Sequence, residues 1–171
     1  MTETANATGT PNSAHVASLK VAIRIAATPE AVWQALTTDL AKWWPRSFYC
    51  GSSSRPDASA TILLEPWPGG RMWEDWGNGE GLLWGTIQTV VIGQRLDFVG
   101  HTAPAWGGPS TLCGSYTLEA DGDGTRVQLD EASFGHIPET DMANKTTGWN
   151  FLLGNLKAHL EGTEPPAWPE G

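Results

Sequence analysis

Cysteine is scarce. The chain of 171 residues has two, Cys50 and Cys113. They lie far apart and fit no metal or redox spacing, which excludes a disulfide-stapled scaffold and leaves two free thiols in a reducing compartment. Basic residues are also few, 10 Lys and Arg against 19 Asp and Glu, for a net charge of −9. Such a surface repels phosphate, so neither nucleic acid nor an anionic membrane is an expected partner. No apolar run approaches the length of a membrane span. The N-terminal stretch MTETANATGTPNSAH has no signal-peptide core, and a cytoplasmic location is expected. No GxSxG, phosphate-cradling or HxH motif is present, so no nucleophile, cofactor or metal site is expected. His101, His136 and Glu131 lack the spacing of a ligand set.

What the chain does have is tryptophan, ten in all. The indole brings a large apolar area and one N–H donor, which suits cavity walls and interfaces as well as plain cores. Length sets one domain as the default. Residues 1–15 read as a disordered lead, 16–162 as a single domain and 163–171 as a flexible Pro-rich tail, with Trp168 a tail residue without a role.

Alternation of Leu19, Val21, Ile23 and Ile25 with polar or small neighbours predicts a first strand. Thr28 as N-cap, Pro29 at the first helical position and Glu30 in the first turn predict a short helix. Leu40, Trp43 and Trp44 predict a second, ended by Pro45. Six strands follow, near 60–65, 70–76, 82–92, 94–100, 110–119 and 125–134, divided by Pro/Gly/Asn-rich turns. Asp121-Gly122-Asp123-Gly124 is the clearest hairpin turn. From Gly148 to Gly162, residues Trp149, Leu152, Leu153, Leu156 and Leu160 form one apolar stripe on a helix of roughly 22 Å. Pro138, Glu139 and Asp141 suggest a helical turn ahead of it. Phe151 breaks the stripe, and is open to solvent, covered by the N-terminal segment or buried in a dimer contact. A lone stripe needs a partner surface. The order therefore predicts an α+β protein whose seven-stranded antiparallel curved sheet wraps a long C-terminal helix, with two short helices after strand one.

Several segments occur together in order: Ile25 to Leu36 (IAATPEAVWQAL), Pro68 to Met72 (PGGRM), Trp84 to Ile87 (WGTI), Gly124 to Leu129 (GTRVQL) and Gly148 to Leu156 (GWNFLLGNL). The set resembles the activator-of-Hsp90-ATPase homology family of the helix-grip superfamily, over about residues 19 to 161. The resemblance implies a sheet gripping the last helix, with a cavity between them. It also puts the Met72 face of its strand inward, so that Met72, Glu74 and Trp76 face the helix. Period two gives the other inward sets as Leu96, Phe98 and Gly100, then Leu112, Gly114, Tyr116 and Leu118, then Val127, Leu129, Glu131 and Ser133. Cys113 faces outward. Family members often carry histidine where this chain has Glu131, a departure that weakens transfer of any family ligand.

These readings give Met72, Glu74, Trp76, Phe98, Tyr116, Glu131 and Trp149 as ligand-binding candidates, with Glu74 and Glu131 as candidate acid/base groups. Each glutamate has a bland alternative, a strand end where it reaches water. The leading expectation is a monomer or homodimer that binds a small, largely hydrophobic molecule in the cavity. The alternatives are a cyclase, dehydratase or hydrolase using the cavity carboxylates, and a stress-related co-chaperone acting on a heat-shock ATPase.

Overall fold

A computed structural model describes residues 15–50, 60–104, 108–137 and 141–169. The expected lead lies outside the described residues except for His15, which opens strand β1. The strands are β1 (His15–Ile25), β2 (Thr61–Leu64), β3 (Arg71–Gly77), β4 (Glu80–Val91), β5 (Arg95–Thr102), β6 (Ser110–Asp121) and β7 (Gly124–Gly135). Among the described residues they form one antiparallel sheet in the order β1-β7-β6-β5-β4-β3-β2, with β1 and β2 at its edges. Helices α1 (Pro29–Thr37) and α2 (Leu40–Trp43) follow β1, and α3 (Asp141–Glu161) closes the order.

The local chemistry explains the element ends. Thr28 Oγ1 accepts from the Ala31 N–H at 3.3 Å, and Pro29 needs no partner for a missing donor. Trp43 Nε1 donates to the Ala35 carbonyl at 2.8 Å and locks α2 onto α1. Asp121 pairs with Gly124 across the expected hairpin, where Gly122 takes a φ of +63°.

Every inward set expected for β5, β6 and β7 faces the core. Leu96, Phe98, Tyr116, Leu118, Val127 and Leu129 are buried, and Leu152, Leu153 and Leu156 of α3 meet them from the other side. At its C-terminal end α3 is tied to the end of β1. Lys157 Nζ donates to the Arg24 carbonyl at 2.7 Å, and the Ala26 N–H donates to Glu161 Oε1 at 2.8 Å.

Helix α3 differs from the expectation in one respect. It begins at Asp141, ahead of the expected start at Gly148, as one rod of 21 residues, and the helical turn expected from Pro138 and Glu139 lies outside the described residues. The segment Met142–Thr147 (MANKTT) carries no apolar stripe, so periodicity could not reveal it. Polar contacts hold it instead, as the Lys145 bonds described below show.

Candidate functional site

Between the sheet and the N-terminal half of α3 lies a cavity of about 370 Å³. Its walls are Met72 of β3, Trp84 of β4, Phe98 of β5, Leu112 of β6, and Trp149 and Leu152 of α3. Trp44, just after α2, forms part of the same wall, at 6.3 Å from the Trp84 ring and 6.4 Å from the Trp149 ring, edge to face. The Trp44 side chain is buried, and its Nε1 has no hydrogen-bond partner among the described residues. The polar part of the lining comes from Glu131, Asn144, Lys145 and Thr147.

A wider depression of about 690 Å³ lies on the opposite face of the sheet. It is open, and its carboxylates are already engaged. Asp97 accepts from Arg95 Nε at 2.8 Å and Ser115 Oγ at 2.6 Å, and Asp130 pairs with Lys20 at 3.1 Å. The inner cavity is the one of the two walled by several aromatic rings.

Glu131 on β7 is 3% exposed and borders the cavity. Its Oε1 accepts from Lys145 Nζ and Ser133 Oγ, both at 3.1 Å, and its Oε2 from Trp149 Nε1 at 2.8 Å. Lys145 Nζ also donates to Ser133 Oγ at 3.1 Å. A buried carboxylate is stable only when paired and hydrogen-bonded, and here it is both. Lys145 and Trp149 are four residues apart on α3, so both fall on the helix face that meets β7.

Glu74 on β3 is fully buried. Its Oε1 accepts from the Cys50 N–H at 2.8 Å and Trp84 Nε1 at 3.0 Å, and its Oε2 from Trp76 Nε1 at 2.8 Å. The bond to Trp84 depends on a β-bulge. Met72 pairs with Gly85 but Trp73 pairs with Leu83, so Trp84 is the extra residue of β4. A bulge re-aims a side chain that strict alternation would send outward. It puts one edge of the indole on Glu74 and leaves the ring in the cavity wall.

Of the sequence candidates, Met72, Phe98, Glu131 and Trp149 line the cavity. Glu74, Trp76 and Tyr116 do not. Glu74 and Trp76 form the carboxylate–indole network at one side. Tyr116 backs the lining, 5.8 Å from the Phe98 ring and 6.1 Å from Trp149. Burial, and secondarily the Glu131 carboxylate, push the Tyr116 phenol far above its ordinary range. Strands β4, β5 and β6 separate the two glutamates, so they do not form a carboxylate pair. The strand-end alternative does not hold for either one.

Sequence reasoning missed Trp44, Phe48, Trp84, Lys145 and Trp168 as lining residues. The spacing of Lys145 to Trp149 was the one signal that could have found Lys145. Phe151 is half-buried, and the N-terminal segment expected as one possible cover lies outside the described residues. The Phe151 ring is covered by Phe48, stacked at 5.4 Å, and by Trp168 of the tail, edge-on at 5.0 Å. Among the described residues, no three His, Cys, Asp or Glu side chains gather as a metal would require.

The two thiols differ. Cys113 is exposed on the outer face, whereas burial and then the nearby Glu74 carboxylate push the Cys50 thiol up to about 11. Only the thiolate is nucleophilic. In native protein at pH 8, Ellman's reagent is expected to titrate Cys113 promptly and Cys50 only after denaturant is added. Prompt reaction of two equivalents would contradict the raised Cys50 pKa.

The architecture defines a helix-grip α+β domain, a curved antiparallel sheet closed around its last helix. Residues 26–161 match the model of the family described as activator of Hsp90 ATPase homolog 1-like protein, and the chain belongs to that family. Among solved structures, a protein from Rhizobium leguminosarum is 22% identical with a TM-score of 0.65, over 88% of this chain and 97% of that one. The Aha1 dimer from Colwellia psychrerythraea, solved in solution, is 25% identical with a TM-score of 0.57, over 85% and 96%. DynU16, from the dynemicin biosynthetic locus, is 21% identical with a TM-score of 0.61, over 86% of this chain and 48% of its own. No curated protein sequence matches the chain. Among the described residues no helix is long and apolar enough to cross a membrane.

Proposed function

We propose that this protein binds a small, largely apolar molecule in the cavity between the sheet and α3. The observation that carries this reading is the lining itself. Three indoles, Trp44, Trp84 and Trp149, surround a space of about 370 Å³ with Met72, Phe98 and Leu112. That volume lies at the small end of the range typical of ligand pockets, about 300–1,000 Å³. The Glu131–Lys145 pair puts opposite charges side by side on the wall, so the wall favours a neutral ligand with one polar end. Asn144 and Thr147, beside Lys145 on α3, are polar groups that such an end can meet.

A second reading rests on Glu131 alone. It is the one candidate carboxylate in the lining, and it has a cationic partner at 3.1 Å, an arrangement that could move a proton on a bound substrate. Glu74 has no such access and is assigned a structural role.

The test uses N-phenyl-1-naphthylamine, a neutral aromatic dye that brightens in apolar sites. Wild-type protein is expected to give saturable enhancement at one dye per chain. Met72→Trp fills the cavity from β3 and is expected to weaken uptake by about tenfold or more, at a stability cost of about 1–3 kcal/mol. Failure of wild-type protein to give saturable binding, or equal affinity in the filled variant, would remove the reading.

A further inference from the structure

The last described segment packs against α3. Helix α3 ends where Gly162 takes a φ of +64° and the Thr163 N–H donates to the Ala158 carbonyl at 3.0 Å. That is a six-to-one helix stop, and it reverses the chain. The next residues include Pro165 and Pro166, which favour a stiff extended helix rising roughly 3.1 Å per residue. From Gly162, four such residues cover roughly 12 Å and six cover roughly 19 Å. Travelling back along α3 at 1.5 Å per residue, Gly154 lies roughly 12 Å away and Phe151 roughly 16 Å. The two measures agree with the contacts. Pro166 packs on Gly154, where an added Cβ would come within 2.9 Å of the proline Cγ. Trp168 lands edge-on against Phe151 at 5.0 Å and Phe48 at 5.4 Å. The expected flexible tail thus runs antiparallel along α3 as a strap.

Trp168 and Phe48 both line the cavity, and both also border a second hollow of about 550 Å³. The two rings stand where these spaces meet. The Phe48 ring packs over Gly148, where a Cβ would lie at an ordinary contact distance of 3.5 Å. Trp168 itself is 49% exposed, and among the described residues no hydrogen bond ties residues 164–169 to the body. Its hold consists of aromatic and proline contacts, each individually weak.

We propose that this strap is part of the site, holding Trp168 as the gate of the cavity, so that an apolar ligand enters or leaves only when the ring lifts off Phe48 and Phe151. The proposal rests on the cavity reading above. It assigns a ligand-controlling role to a residue outside the family-matched span of 26–161.

Stopped-flow mixing with N-phenyl-1-naphthylamine distinguishes a gate from a wall. A gate slows entry and exit together, whereas a wall contact slows exit alone. Trp168→Ala is expected to raise both rate constants by about tenfold, entry as well as exit, with little change in melting temperature. Trp168→Phe keeps an aromatic edge and is expected to return most of the wild-type rates. Unchanged rates in Trp168→Ala overturn the gate, and so does a faster exit with unchanged entry. Absence of dye uptake by wild-type protein is the different failure that removes the cavity reading itself.

Discussion

Glu74→Ala is expected to destabilise the protein by about 3–5 kcal/mol, read as a lower urea midpoint. The carboxylate accepts from the Cys50 N–H and from the indoles of Trp76 and Trp84. Removing it leaves those donors facing a vacated space. Each buried donor left without an acceptor costs about 1–3 kcal/mol, and Trp76 is only partly buried, which keeps the sum below the maximum. Glu74→Gln is the informative partner. It retains one acceptor oxygen but turns an NH₂ toward donors, so it is expected to fall between wild type and alanine. A loss under about 1 kcal/mol for Glu74→Ala would show that this network does not organise the β3–β4 side of the sheet.

Lys145→Met is expected to cost about 3 kcal/mol by the same measurement. The Glu131 side chain is 1% exposed and that of Lys145 24%. Taking away the cation strands a buried carboxylate, whose penalty exceeds whatever the pair contributed when intact. The partial exposure of Lys145 puts the figure at the lower end of the usual range. The double variant Lys145→Met, Glu131→Gln removes the stranded charge and is expected to regain about 2 kcal/mol of that loss. If the double variant is as unstable as the single one, the cost lies in packing around residue 145 and the ion-pair account is wrong.

These two carboxylates also show what the sequence could and could not disclose. Alternation put Glu131 on an inward face because one side of this sheet is dry, and a dry side makes register readable, whereas the inward choice for Glu74 came from the family resemblance. The same rule placed Phe98, Tyr116 and Leu129 correctly. It made no placement of Trp84 and could not have done so, because an inserted residue breaks the period of two and nothing local announces a bulge. Lys145 was hidden for another reason: its half of α3 is fixed by bonds to Glu131 and Ser133, and bonds leave no periodic trace. Proline-rich composition gives no sign of where the tail lands, because the landing place of Trp168 depends on Phe48, far away in the chain.

The pairing of β1 with β7 has a consequence for how the molecule is made. Leu19 sits opposite Glu131, so the first strand must wait for a partner about 110 residues downstream. At typical synthesis rates of roughly 5–20 residues per second, that delay is on the order of 6–20 s on the ribosome. Contacts so distant along the chain form late, because loop entropy must be spent before they give any return. During translation the nascent first strand therefore spends seconds with its pairing edge open to solvent, the interval in which it is most exposed to pairing with another chain.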